Sequence, residues 1–479
     1  MTEVAGPTYL IRGYQEFDSN PLIAHLRLPP ETDSAAFLAL GQRPDFNVQD
    51  RDLPNSIRRL RIKRLRRFYV PTLEAHRQAL IEIATNVLDG YIARNPMTAR
   101  GQALLHGGAA DLEFRPAISL IAGHSGMGKS TLIDRILAYL GEQLNQHVQF
   151  DGKPFPEKQI LYLRRNCPEH CTVGTLCSTF GDYTDRVLGL ELYAGVFAKL
   201  KGGSRTLYLA EISKIIKAHH VGFLVIDEFQ NLSLMGVGAK KIIALLVNLR
   251  DELGLPIVVV GTYKALRLLE GDMSTGRRLV EGGYFDLQRP ASAQDKSWIE
   301  LCEIAWKYQW VRKPIKFDPD ICEALYDVSQ GITGIMLSAF SLAQLAAINN
   351  GTECVDAELI RKVYIDRMKP LHAALRVLQS GDPRLMDTFD DLYKNHWPTQ
   401  DEGIDGSDSR APADVPEDSK SDEREEPAQP VDEPKPVRAK RKAADAAAAP
   451  VQAKLSPEQV KKMVMADSVG DLISLLDKQ

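Results

Sequence analysis

The chain has 479 residues, 44% of them apolar and 25% charged, and 59 basic against 63 acidic side chains leave a formal net charge of −4. That length exceeds one ordinary domain, and a near-neutral total excludes neither nucleic acid nor protein as a partner, because local patches decide that. No run approaches the roughly 18 apolar residues of a membrane span, and Met1–Asn20 lacks the basic start and apolar core of a secretory leader. The expectation is a cytoplasmic chain, with no membrane, whose cysteines Cys167, Cys171, Cys177, Cys302, Cys322 and Cys354 stay reduced.

Taken in order, residues 1–50 carry many prolines and no sustained periodicity, and read as an extended arm or small lobe. Residues 54–95 read as helical. Arg58, Arg59, Arg61, Lys63, Arg64, Arg66 and Arg67 fill seven of ten positions, and apolar spacing continues from Pro71 to Tyr91 before the stop at Asn95-Pro96. The N-terminal extension is placed at 1–114.

Residues 115–290 alternate short apolar runs with amphipathic helices. Ile118–Ala122, Ile160–Leu163, Phe223–Ile226 and Ile257–Val260 are strand candidates; Thr131–Leu140 and Lys240–Leu253 are helix candidates. The alternation predicts an α/β core with a parallel sheet between helices. Residues 291–398 lose the strand signal and read as a helical lid, with helices at Trp298–Trp310, Pro319–Val328, Ile335–Asn349 and Ala357–Arg367. The 399–455 segment is a disordered acidic, Pro- and Ala-rich linker, too poor in large apolar residues to offset chain entropy. The apolar spacing of 456–479 reads as a short C-terminal helix, either docking to a partner or folding back.

Gly123-His124-Ser125-Gly126-Met127-Gly128-Lys129-Ser130 follows an apolar strand and opens a helix. Glycines let the backbone curl so that its N–H groups face phosphate oxygens, and the helix N-terminus adds partial positive charge. Lys129 suits the β- and γ-phosphates of ATP, Ser130 suits Mg²⁺, and Thr131 completes the nucleotide-binding set. At the end of the run Phe223–Ile226 stand Asp227, which suits Mg²⁺, and Glu228, which suits the attacking water. Thr262 ends the next apolar run, where it holds that water or is an ordinary strand-end threonine. Arg277 or Arg278 suits a neighbouring subunit's γ-phosphate, although paired surface arginines are common.

Three further features stay open. Cys167, His170, Cys171 and Cys177 are possible zinc ligands, but the irregular spacing favours a loop entering a helix with Cys177 buried. The basic run at 58–67 either contacts DNA phosphates or packs on acidic neighbours, and its all-round placement favours polyanion contact. Lys199, Lys201 and Arg205 form a second basic patch suited to DNA in the channel of a ring.

The order of these motifs resembles AAA+ ATPases, and more narrowly the TnsC/TniB group of transposon-encoded ATPases, relatives in role of the phage Mu B protein. Three stretches carry the resemblance: Asp227-Glu228-Phe229-Gln230-Asn231-Leu232, the run from Leu246 to Pro256 leading into Val260-Gly261-Thr262, and Phe68-Tyr69-Val70-Pro71 followed by Gly90-Tyr91 and Asn95-Pro96. The resemblance spans about residues 50–375. It implies ATP-dependent assembly as a ring or helical filament on double-stranded DNA. It also implies a link between a target-selection protein and transposase subunits, with hydrolysis driving disassembly. One departure stands out: Ser329–Met336, where many AAA+ lids carry an arginine that touches the nucleotide, has none. Two other classes compete: a STAND-type signalling ATPase that needs no DNA, and a helicase- or clamp-loader-like ATPase.

Overall fold

The computed structural model describes residues 6–106, 116–169, 171–200, 204–232, 237–268, 273–386, 389 and 392. These fall in one compact unit, Met1–Asn395, and the linker at 399–455 and the helix at 456–479 lie outside the described residues. No single described helix is long and apolar enough to cross a membrane.

The N-terminal arm is packed into the core. Leu22, Ile23, Ala24 and Leu26 are buried, and Asn20 donates to the carbonyl of Tyr91 at 3.0 Å. Helix α1 (Asn55–Ile62) is followed by a tighter turn over Lys63–Arg67, then an extended break, then α2 (Glu74–Ala93). The helix expected from Pro71 starts three residues later. Proline biases its predecessor towards extended backbone, and Tyr69 exchanges backbone hydrogen bonds of 2.8 Å with Gln42.

The core contains β1 (Ile118–Ala122), α3 (Lys129–Leu140), β2 (Tyr162–Asn166), α4 (Val173–Leu188), α5 (Arg205–Ala218), β3 (Phe223–Asp227), α6 (Val237–Leu253), β4 (Ile257–Gly261), α7 (Met273–Leu279) and β5 (Tyr284–Asp286). All pairings in the five-stranded sheet are parallel, in the order β2-β3-β4-β1-β5. Strand side chains alternate between faces. Leu224 and Ile226 therefore join α4, α5 and α6 in one apolar cluster, while Phe223 and Val225 join α2 and α3 in the other. Burial on both faces explains the unbroken apolar runs. The strand expected at Ile160–Leu163 is divided: Lys158–Ile160 pairs antiparallel with Leu144–Gln146, and β2 starts at Tyr162.

The lid comprises α8 (Lys296–Trp306), α9 (Pro319–Ser329), α10 (Thr333–Asn350) and α11 (Ala357–Arg367), with further short helices beyond. The first helix stops before Trp310, which turns inward, donates its backbone N–H to Gln344 at 2.8 Å and is fully buried.

One ion pair joins the N-terminal segment to the lid. Arg58 is 0% exposed; its guanidinium donates to Glu353 at 2.6 and 2.7 Å and to the Trp310 carbonyl at 3.0 Å. Arg59 reaches Asn349 at 2.6 Å, and Arg61 lies 3.6 Å from Asp50. Part of the basic run is thus committed to internal contacts, while Lys63, Arg66 and Arg67 stay exposed. Breaking a buried pair leaves an uncompensated charge, so Arg58→Met is expected to destabilise the fold by about 3 kcal/mol. Urea denaturation checks this, and a loss below about 1 kcal/mol, the size of an exposed pair, contradicts it.

Candidate functional site

The sheet order sets the site. β4 runs between β1 and β3, so the residue after β4 emerges between the loop after β1 and the carboxylates at the end of β3. Loop 123–130 takes the expected curl: Gly126 and Gly128 have φ of +85° and +84°, a region that L side chains disfavour. The Lys129 ammonium donates to the carbonyls of Gly123 and His124, both at 2.9 Å. His124 is 2% exposed and packs edge-on against Tyr263. The first N–H groups of α3, on Lys129, Ser130 and Thr131, precede the point where intrahelical partners begin.

Asp227 is the meeting point. It is 2% exposed, accepts from the Ser130 hydroxyl at 2.9 Å and from Arg164 at 2.7 Å through the same oxygen, and takes the Glu228 backbone N–H at 2.9 Å on the other. Arg164 also pairs with Asp134 on α3. Glu228 has φ +57°, a conformation unusual outside glycine. Its carboxylate accepts from the side chain of Gln230, whose own carbonyl oxygen accepts the Thr262 backbone N–H at 2.9 Å. Thr262 is 4% exposed, and its hydroxyl has no hydrogen-bond partner among the described residues. Ser130, Asp227, Glu228 and Thr262 are thus brought to one place.

A cavity of about 570 Å³ adjoins the loop, within the range of small-molecule sites. Its walls include residues 62–76, the loop at Gly126–Gly128 and α10 from Thr333 to Leu345, with Pro290 and Leu301 beside them. The Tyr69 ring lies where a Cβ on Gly128 would be only 3.2 Å away, and the Gly334 N–H donates to the Gly126 carbonyl at 2.9 Å. The Ser329–Met336 stretch therefore reaches the phosphate loop through backbone, Ile332 and Thr333, without an arginine. Lys63 and Arg66 lie exposed on the wall of this cavity, a role the basic run gave no hint of.

Two buried polar side chains face one another on that wall. The rings of Tyr69 and His76 are 5.6 Å apart, and neither the Tyr69 hydroxyl nor either His76 nitrogen has a partner among the described residues. Burial, with Arg77 nearby, pushes His76 down to about 3, so it is neutral at pH 7 and offers one donor and one acceptor. Burial pushes the Tyr69 phenol up, which keeps it a donor. The cavity suits a flat polar ring next to a phosphate chain. Tyr69 was visible in a motif, but nothing in the sequence marked His76, which fits the apolar spacing of α2.

Other candidates are spread out. Arg277 and Arg278 are exposed on α7. Lys199 is exposed at the end of the helix Tyr193–Lys199, while Lys201 and the side chain of Arg205 lie outside the described residues. Cys167, Cys171 and Cys177 are buried, the last on α4, and all six cysteines are free. Among the described residues no three potential metal ligands cluster, and His170 lies outside them.

Residues 112–269 match a family model described as an AAA domain. With the sheet order, the phosphate loop and the lid, this defines an AAA+ P-loop ATPase fold. No curated protein matches the chain. The solved structures it resembles include the ORC2 protein of Aeropyrum pernix (15% identity, 62% of this chain and 69% of that one, TM-score 0.38). Others are a Walker-type ATPase of Pyrococcus abyssi (18%, 62% and 79%, TM-score 0.38) and Drosophila ORC bound to DNA (14%, 72% and 73%, TM-score 0.40). Likeness at that level speaks to neither ligand nor partner.

A neutral hydrogen bond contributes about 1 kcal/mol, roughly a fivefold change in affinity. His76→Phe, which keeps the ring and removes both nitrogens, is expected to weaken ADP binding by about fivefold in calorimetric titration. Affinity unchanged within twofold would remove His76 from the site.

Proposed function

We propose that this chain binds and hydrolyses ATP with Mg²⁺, and that ATP binding switches its assembly on duplex DNA in the control of transposition. The observation that carries the ATPase reading is the meeting of Ser130 and Asp227 at 2.9 Å beside Lys129, with Glu228 and Thr262 alongside. A hydroxyl and a carboxylate are hard oxygen donors that fit Mg²⁺. Ser130 and Asp227 would hold the ion, which would supply positive charge against the phosphate oxygens. The loop N–H groups and Lys129 bind the phosphates, the wall of Tyr69 and His76 takes the base, and Thr262 orients the water. Glu228 accepts the water's proton as it attacks.

The step from ATPase to transposition rests on the TnsC/TniB resemblance. Of its three stretches, Phe68–Pro71 contributes Tyr69 to the cavity, Asp227–Leu232 contributes Glu228 and Gln230, and the run into Val260-Gly261-Thr262 contributes Thr262. Arg277 and Arg278, exposed on α7, are suited to serve a neighbouring copy in a homo-oligomeric ring or filament. Transposase subunits and a target-selection protein are the partners this reading requires.

Lys129→Ala removes a charge-assisted contact and is expected to weaken ATP binding about 10- to 100-fold, and to abolish ATP-dependent binding to labelled duplex DNA in anisotropy titrations. Retained assembly in this variant would falsify the site. Glu228→Gln is expected to cut hydrolysis about 100-fold or more while prolonging residence on DNA, read by phosphate release and by dissociation on dilution. If the unmodified chain binds no duplex with a slowly hydrolysed ATP analogue at low salt, the DNA reading fails and the STAND-type reading takes its place.

A further inference from the structure

We propose that Gln230 is a positioning residue that carries the state of Thr262 to Glu228, so that hydrolysis depends on a relay across two strands. The inference rests on the ATPase reading and goes beyond it.

The Gln230 carboxamide uses both ends. Its oxygen accepts the Thr262 backbone N–H at 2.9 Å, and its nitrogen donates to one oxygen of Glu228. This orientation is fixed by chemistry, since a backbone N–H is only a donor and a carboxylate only an acceptor, so a flipped amide fails at both contacts. The partners are on different strands: Glu228 follows β3 and Thr262 follows β4.

Three local features serve this arrangement. A Cβ on Gly261 would lie 2.9 Å from the Gln230 carbonyl oxygen, so the glycine before Thr262 leaves room for the amide. The turn at Phe229–Asn231 brings residue 230 back towards 228, with Phe229 buried and Asn231 donating to the Cys167 carbonyl at 2.9 Å. The left-handed backbone at Glu228, φ +57°, is part of the same turn, and such strain persists only where surroundings enforce it. Gln230 thus occupies one oxygen of Glu228 and leaves the other for the proton of water. The Thr262 hydroxyl, buried and with no partner among the described residues, is the group that would meet a phosphate oxygen or that water. A shift of the Thr262 backbone moves the amide, and the amide moves the carboxylate.

The test is a double-mutant cycle on the full chain, with and without duplex DNA. Gln230→Met keeps the volume and removes both hydrogen bonds; Thr262→Ala removes the hydroxyl. The ADP dissociation constant is read by calorimetry, kcat by phosphate release, and folding by thermal melting. Gln230→Met is expected to lower kcat between about tenfold and 100-fold with the ADP constant within twofold, since the lost interaction serves only the chemical step. The double variant is expected to be no slower than about the worse single variant, because residues in one network are non-additive. Gln230→Glu, which keeps the size and sets a second carboxylate against Glu228, is expected to be as slow. A wild-type kcat in Gln230→Met, or losses that multiply in the double variant, overturns the relay while leaving the ATPase reading in place. Absence of turnover in the unmodified chain overturns both.

Discussion

In a parallel sheet every strand delivers its C-terminal end to the same edge, and neighbouring strands are about 4.8 Å apart. Placing β4 between β1 and β3 therefore holds the phosphate loop and the paired carboxylates roughly 10 Å apart at the level of the sheet, with one strand end between them. The Ser130 hydroxyl bridges that gap to Asp227 at 2.9 Å, and Thr262 fills the middle. The rest of the arrangement depends on this spacing. The sheet must be buried on both faces to stay rigid, so helices, arm and lid are packed around an edge that remains open to a ligand.

Burial also accounts for the charges. Asp227 is 2% exposed and stays paired through Ser130 and Arg164; Arg58 is 0% exposed and stays paired through Glu353. One pair joins the two motifs of the site, the other joins the first helical segment to the lid. Each is held by several hydrogen bonds, the condition under which a buried charge is tolerated.

The parts of the molecule that could be read from the sequence are those where chemistry or periodicity constrains consecutive residues. The loop at 123–130 was legible because phosphate binding needs that order of glycines, lysine and hydroxyl, and the strands because burial on both faces leaves unbroken apolar runs. Ala357–Arg367 came out at its observed bounds. What escaped depends on distant partners. Arg58 looked like its cationic neighbours because Glu353 is almost 300 residues away, the contact spanning 295 positions. His76 sits among residues with helical apolar spacing, and only the cavity formed with Gly126 and Thr333 distinguishes it. Trp310 continued a helical pattern that its tertiary contact with Gln344 interrupts. Gln230 was noticed as part of a pattern, but its role needed the register of β3 against β4.

The Arg58–Glu353 pair has a mechanical corollary. With Arg59 on Asn349 and Arg51 on the Gln309 carbonyl at 2.9 Å, it rivets the segment before Tyr69 to the helices that carry Thr333 and Gly334. Two walls of the cavity are thereby joined, and along the phosphate loop Gly334 meets Gly126 and the Tyr69 ring lies against Gly128. A nucleotide held there, as proposed, would touch the joined walls and the loop at once.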